Sequence, residues 1–163
     1  MFKMFQKKEK TMPIYAVATG KLIELAEVSD EMFSQKLMGD GFAVLPTSGS
    51  MSSPIEGVVM SVFPTKHAIT LQTSEGLECL IHMGVDTVEL NGEPFTVHVK
   101  EGDKVSLGTQ LATIDLDQLK SKNKQTDIIV VFPNYAEKIK SMSVNTSEEV
   151  TSKEKIGEVT WKK

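Results

Sequence analysis

The chain contains no arginine, and all eighteen of its basic residues are lysines. Arginine is the side chain that binds phosphate or carboxylate through two parallel hydrogen bonds, so we expect any contact of that kind to come from a partner. The formal net charge is −4. General nucleic-acid binders need a positive field to displace counterions from phosphates, and this charge argues against that class.

Cysteine and long apolar runs are scarce as well. Cys79 is the single cysteine, so no internal disulfide can form, and the apolar stretch LECLI around it predicts a buried, unreactive thiol. No run approaches the roughly 20 apolar residues of a membrane-spanning helix. The start MFKMFQKKEK lacks the apolar core and small-residue cleavage site of a secretory signal. These absences favour a cytoplasmic protein.

A length of 163 residues fits one domain, since two independent cores would each be unusually small. Residues 1–13 mix Phe and Met with several lysines and end at Pro13, and we predict a loose tail there. The alternative for this segment is a weak anchor on a membrane surface or a partner. Residues 14–163 are predicted to form the single domain.

Turn-rich segments separate short alternating or apolar runs from Ile14 onward, which is the pattern of a β-sandwich or barrel. The predicted strands span residues 14–18, 20–25, 41–46, 57–63, 68–73, 77–83, 95–99, 110–116 and 128–132. Two short helices are predicted, over residues 29–37 with Ser29 as the N-cap, and over residues 116–122. The expected fold is all-β, with two packed antiparallel sheets.

Two phrases, SPIEGVVMSVF and VKEGDKVSLGTQLATID, each place a glycine turn between strand-forming residues. This weak internal repeat is typical of folds built on a duplicated β "hybrid" motif. Biotinyl and lipoyl carrier domains use the same motif, so the repeat supports the β architecture without choosing a function.

Histidines are the residues best suited to chemistry here. His67, His82 and His98 are each more often structural than catalytic when taken alone. His82 ends an apolar strand just before Gly84 and Asp86, where a turn lets the backbone approach an imidazole.

Thr65 and His67 are two residues apart, so in an extended strand their side chains would share a face. If that strand lies beside the His82 strand, two imidazoles and a hydroxyl meet. A neutral imidazole can attack phosphorus without a separate base, and the second imidazole and the hydroxyl can donate hydrogen bonds to the phosphoryl oxygens.

Six motifs follow one another in the order and spacing of one known family. They are GDGFAVLP, SSPIEGVV, FPTKHAITL, ECLIHMGVDTVELNGEPF, VKEGDKVSLGTQLATIDLD and IIVVFPN. In them the chain resembles glucose-type enzyme IIA of the bacterial phosphoenolpyruvate-dependent sugar phosphotransferase system, over about residues 25–163. The most specific element is L-I-H-x-G-V-D-T-V-x-L, around His82.

The resemblance assigns roles to three residues. It implies that His82 carries the phosphoryl group on Nε2, that His67 holds or orients that group, and that Thr65 completes the hydrogen-bond network. The implied function is a phosphocarrier: a phosphotransferase component that accepts the group from the histidine phosphocarrier protein and passes it to an enzyme IIB domain during sugar uptake.

A docking surface is expected around this site. The resemblance places Asp40 and Asp86 at its rim, facing positively charged partners, although either aspartate could serve only its own turn. Phe63 and Val88 are the apolar candidates, with core packing as the alternative. Phe42, Ile69 and Leu80 are weaker candidates of the same kind.

No cofactor is required for this relay. His67 and His82 could still share a zinc ion whose third ligand comes from a partner, as glucose-type relatives can do when they dock regulatory targets. His98 matches no site position.

Three alternatives remain open. A biotinyl or lipoyl carrier needs a lysine at a hairpin tip between the two repeated phrases, and that interval holds the histidine motifs instead. A zinc peptidase needs an H-x-H pair, which is absent, although Asp86 follows His82 by four residues. A regulatory binding protein with the same fold would be expected to lack His82.

Overall fold

The protein's fold is given by a computed structural model that describes residues 9–163. In this part of the chain the strands are β1 (Thr11–Tyr15), β2 (Gly20–Glu24), β3 (Asp40–Pro46), β4 (Ser50–Ser52), β5 (Gly57–Val62), β6 (Ala68–Gln72), β7 (Glu78–Met83), β8 (Phe95–Val97), β9 (Lys104–Val105), β10 (Gln110–Ile114), β11 (Ile128–Phe132), β12 (Ile139–Val144), β13 (Glu149–Val150) and β14 (Lys155–Trp161). The α-helices are α1 (Glu31–Ser34), α2 (Leu116–Ser121) and α3 (Tyr135–Lys138), and two 3₁₀ helices span Leu25–Glu27 and Thr87–Leu90.

The strands form three antiparallel sheets. The largest has eight strands in the order β13-β2-β3-β11-β7-β6-β5-β9, and the two smaller ones have the orders β1-β14-β12 and β4-β10-β8. The sheets pack as a sandwich and do not close into a barrel. No helix among residues 9–163 is long and apolar enough to cross a membrane.

The eight-stranded sheet buries both of its faces to different extents. One face packs into the main core through large side chains such as Phe42, Ile81 and Phe132. The other face carries a smaller apolar cluster that includes Ala43, Ala68, Leu80, Ile129, Phe33 and Val85. Side chains alternate between faces along a strand, so this second face is where every other residue of the central strands points.

His82 lies on the second face. The register places it between Ala68 on β6 and Ile129 on β11, and Ile129 in turn faces Ala43 on β3. These four residues form one row across four neighbouring strands. The row is apolar apart from the imidazole, which therefore has apolar side chains on both neighbouring strands.

The prediction of an all-β fold of packed antiparallel sheets with short helices is confirmed, but the strands form three sheets rather than the two expected. Most predicted strands match to within one or two residues. The first strand is displaced: it was expected over 14–18 and forms over Thr11–Tyr15. Strands β4, β9, β12, β13 and β14 and the helix α3 were not predicted. The two repeated phrases meet where β5 pairs with β9, with Gly57 opposite Val105.

Two other predictions need correction. The tail expected over 1–13 is wrong for residues 11–13, which pair with β14 within β1; residues 1–8 lie outside the described part. The helix expected over 29–37 spans only Glu31–Ser34, and its N-cap is Asp30, whose side chain accepts a hydrogen bond from the Met32 amide at 2.8 Å. Asp30, rather than Ser29, thus caps this helix.

Candidate functional site

The turn between β5 and β6 positions the first histidine. The Lys66 amide donates to the Phe63 carbonyl at 2.7 Å, and Lys66 adopts the left-handed region with φ of 59°. Thr65 and His67 lie on either side of it, with the Thr65 hydroxyl 2.5 Å from Nδ1 of His67. They do meet, as expected, but the reason given above is wrong, because they belong to a turn rather than to an extended strand.

The second histidine is held by β7 and the turn that follows it. Nδ1 of His82 lies 2.7 Å from the carbonyl oxygen of Gly84. A carbonyl oxygen can only accept a hydrogen bond, so Nδ1 carries the proton in the neutral ring and Nε2 keeps its lone pair. The residue as a whole is half-buried.

The two imidazoles meet edge to face. Their ring centroids are 5.0 Å apart and their planes are inclined by 78°. His67 is 6% exposed. Burial, and secondarily the repulsion it would feel from a charged His82, lowers the pKa of His67 below its usual range. Both effects favour the neutral ring.

Burial also lowers the pKa of His82. Three weaker influences act in the opposite direction: the hydrogen bond to the Gly84 carbonyl, and the negative charges of Asp30 and Asp86. Desolvation outweighs them, so His82 is neutral near pH 7 and Nε2 is available as a nucleophile.

Asp30 and Phe33 are site residues that the sequence reasoning missed. The ring of Phe33 lies 5.1 Å from that of His82 at an interplanar angle of 55°, and Asp30 contributes to the electrostatic environment of the same imidazole. The predicted helix over 29–37 contained both of them. No local signal connected that segment with His82, which is about fifty residues further along the chain.

The structure places the two predicted rim aspartates differently. Asp86 is exposed, precedes the 3₁₀ helix in the left-handed conformation with φ of 58°, and acts on the pKa of His82. Asp40 begins β3 opposite Phe132, three residues from the His82 row and therefore on the other face of the sheet. It pairs with Lys36 at 3.6 Å and accepts from the Gly41 amide at 2.8 Å.

The apolar candidates divide in the same way. Phe63 is 37% exposed and stands perpendicular to the His67 ring, with 5.4 Å between centroids, while Val88 is 50% exposed on the 3₁₀ helix. The weaker candidates are core residues: Phe42, Ile69 and Leu80 are all buried.

The remaining candidates for chemistry lie elsewhere. His98 is exposed, and its Nε2 lies 2.8 Å from the Thr113 hydroxyl. Cys79 is buried, as predicted, and burial raises the pKa of its thiol. Within residues 9–163 no group of three or more His, Cys, Asp or Glu side chains is arranged to hold a metal ion.

Comparison with known proteins decides among the alternatives. A family model described as "phosphoenolpyruvate-dependent sugar phosphotransferase system, EIIA 1" matches residues 12–138, more than half of the chain. The chain belongs to this family. The predicted resemblance is thereby confirmed, in preference to a biotinyl or lipoyl carrier or a zinc peptidase. The protein is an enzyme IIA component, a phosphocarrier of the phosphotransferase system.

Individual relatives agree with the family. The chain is 48% identical to the "PTS system glucose-specific EIIA component" of Halalkalibacterium halodurans over 74% of its own length and 70% of the relative's. It is 46% identical over 93% of its length to the "PTS system glucose-specific EIICBA component" of Streptococcus pneumoniae, of which it spans only 21%. The glucose permease IIA of Mycoplasma capricolum has the same fold, with a TM-score of 0.84 and 34% identity over 91% of this enzyme IIA chain and 96% of the other.

Proposed function

We propose that His82 is the phosphorylated residue of this enzyme IIA. The observation that supports this most directly is the hydrogen bond from Nδ1 to the Gly84 carbonyl, since it leaves Nε2 as the unprotonated nitrogen. In the proposed reaction, the Nε2 lone pair attacks the phosphorus of the phosphorylated histidine phosphocarrier protein in line. The new N–P bond forms as the donor's N–P bond breaks, and the donor histidine keeps the electron pair.

The supporting roles fall to His67 and Thr65. When the Thr65 hydroxyl donates to Nδ1 of His67, the proton of that neutral ring resides on Nε2, which becomes a hydrogen-bond donor. With the ring centroids 5.0 Å apart, a phosphoryl group on His82 lies within reach of such a donor. The donor stabilises negative charge on the phosphoryl oxygens during transfer.

The group then passes to an enzyme IIB domain of a sugar permease. We propose that both partners use one docking face around His82, with Phe63 and Val88 as exposed apolar contacts and Asp86 as an acidic contact. Asp40 remains a predicted rim residue, but its position on the other face of the sheet makes Asp30 the better second carboxylate. Because this chain has no arginine, the cationic side of each interface belongs to the partner.

The remaining expectations concern metal, setting and regulation. The relay as proposed requires no cofactor and takes place in the cytoplasm. The two imidazoles supply two nitrogen ligands, so a zinc ion shared by His67 and His82 would need further ligands from a partner. Binding of regulatory target proteins to the same face is a further proposal of this kind.

The proposal is tested by reconstituting the relay. Incubation with phosphoenolpyruvate, enzyme I and the histidine phosphocarrier protein should add one acid-labile phosphoryl group, seen by intact-mass spectrometry. His82→Ala should receive none. His98→Ala is the matched control, since His98 is exposed and contacts neither site histidine, and it should be labelled at the normal rate. Labelling of the His82→Ala variant would refute the assignment.

A further inference from the structure

Two consecutive peptide groups after His82 are each held at both ends. In the first, between Met83 and Gly84, the Gly84 amide donates to the Asp127 carbonyl at 2.8 Å. The Met83 carbonyl of the same group accepts from the Thr87 hydroxyl at 2.6 Å. The plane of this peptide group is therefore fixed from two sides, on one side by the main chain ahead of β11 and on the other by a side chain.

The second peptide group, between Gly84 and Val85, contains the carbonyl oxygen that accepts the hydrogen bond from His82. Its amide donates to the Gln125 carbonyl at 3.2 Å, and its carbonyl accepts from Nδ1 of His82 at 2.7 Å. Hydrogen bonds in such a chain polarise one another, so the acceptor strength of the Gly84 carbonyl depends on the whole arrangement.

Thr87 is the one residue of this network, besides His82 itself, that takes part through its side chain. It is completely buried, although it is polar. Its methyl carbon also closes the space beside Gly84: a Cβ on that glycine would lie 2.5 Å from it. Gly84 has φ of +79°. Glycine has no side chain to resist a change of backbone conformation, so the turn depends on contacts with other residues to hold it.

We infer that Thr87 is a positioning residue for phosphoryl transfer, because its hydroxyl holds the turn that keeps the Gly84 carbonyl on Nδ1 of His82. Loss of that hydroxyl frees the first peptide group at one end and lets the Gly84 carbonyl turn away. Nδ1 then loses its acceptor, and the ring proton redistributes toward Nε2, the atom that must attack. The inference rests on the proposed role of His82.

The test compares three variants. Thr87→Val removes the hydroxyl and keeps the shape, whereas Thr87→Ser keeps the hydroxyl and removes the methyl group. Thr73→Val is the matched control: Thr73 is also buried, and its hydroxyl accepts from the Leu77 amide at 3.1 Å in the turn at the opposite end of β7. Long-range ¹H–¹⁵N NMR spectra report which ring nitrogen of His82 carries the proton, and the reconstituted relay reports the rate of phosphorylation.

For Thr87→Val we expect a rise in the Nε2-protonated form of His82 and phosphorylation slowed by about ten- to a hundredfold. Thr73→Val should resemble the wild type in both measurements, and Thr87→Ser, which keeps the hydroxyl and loses only the methyl contact, should change much less than Thr87→Val. An unchanged His82 spectrum in Thr87→Val, an equal change in Thr87→Ser, or an equal change in Thr73→Val would each overturn the inference. If wild-type His82 receives no phosphoryl group, the proposed function fails, whereas the NMR comparison still tests the positioning role.

Discussion

The edge of one imidazole faces the plane of the other at the centre of the site, with 5.0 Å between the ring centroids of His67 and His82. The two rings have different surroundings. His82 is held by a backbone carbonyl, and His67 is held by the hydroxyl of Thr65. A carbonyl leaves only one tautomer, while a hydroxyl can donate or accept, so the division into nucleophile and hydrogen-bond donor follows from these partners.

We expect His67→Gln to separate the two halves of the relay. Glutamine cannot reproduce an imidazole donor fixed by Thr65, but it leaves Nε2 of His82 intact. Phosphorylation by the phosphocarrier protein should still occur, and onward transfer to enzyme IIB should slow by about a hundredfold, the usual effect of losing one transition-state donor. Single-turnover transfer from the phosphorylated variant measures this, with His98→Gln as the control. Unchanged onward transfer would remove His67 from the mechanism.

The pH dependence of acceptance follows from the lowered pKa of His82. Only the neutral ring has a free Nε2 lone pair, so the rate should be level from pH 7 upward and should fall only below the usual histidine pKa of about 6.5. Rates of phosphorylation and an NMR titration of the ring proton should give the same midpoint. A midpoint above 6.5 would show that the carboxylates of Asp30 and Asp86 outweigh burial.

The free energy of unfolding should also decrease as the pH falls. Because burial lowers the pKa of both His67 and His82 in the folded state, the unfolded chain binds more protons once the pH drops below about 6.5. The contribution of the two neutral rings to folding stability is thus fully present above that pH, and it is lost as the pH falls through their folded-state pKa values. Urea unfolding measures this at about pH 7.5 and about pH 5.5, on either side of the usual histidine pKa. The comparison of the wild type with the His67→Gln variant isolates the part of the pH dependence that comes from His67.

Much of this site follows from local pattern. Alternation along LECLIHM places the side chains of His82 and Ile81 on different faces of the sheet. The turn residues after His82 predict that the backbone comes close to its imidazole. The sequence also indicated that the side chains of Thr65 and His67 would meet, but from an extended strand instead of a turn. The turn depends on the positive φ of Lys66, and lysine rarely adopts such a φ, so nothing in the sequence indicated it. What local pattern cannot show is packing between distant segments, and Asp30 and Phe33 were missed for that reason.

The unpredicted strands at the C-terminal end have a physical explanation as well. In β12 and β14, IKSMSV and KIGEVTW, single apolar residues are separated by lysine, serine, glutamate, glycine and threonine. Only Ile139, Ile156 and Val159 of these strands are fully buried. A sheet that buries so few side chains per strand gives a weak alternation signal, and its pairing becomes evident only when β1 and β14 are adjacent.

Asp30→Asn is expected to lower the pKa of His82 further. The Asp30 charge raises that pKa, and asparagine removes the charge while it still serves as the N-cap of α1. Asp115→Asn is a matched control, since Asp115 caps α2 in the same way and does not act on His82. An NMR titration of the His82 ring should show a lower midpoint in the first variant alone. A midpoint that is unchanged or raised in Asp30→Asn would contradict this electrostatic role.

Gly84→Ala should disable the site and destabilise the fold. At φ of +79° a Cβ costs about 1–2 kcal/mol, and here it would also lie 2.5 Å from the Thr87 methyl and 2.9 Å from the Gln125 carbonyl oxygen. Relief of that overlap adds about 1–3 kcal/mol. Gly102→Ala provides the control: its φ is +93°, but nothing lies within 4 Å of the added carbon, so only the backbone cost applies.

Urea unfolding should therefore show a larger loss for Gly84→Ala than for Gly102→Ala, and only the former should lose phosphorylation under conditions where both variants are folded. The reason is that relief of the overlap moves the carbonyl that holds Nδ1 of His82. Equal losses of stability, or normal labelling of Gly84→Ala, would show that the turn tolerates displacement and that the Gly84 carbonyl is not needed to direct Nε2.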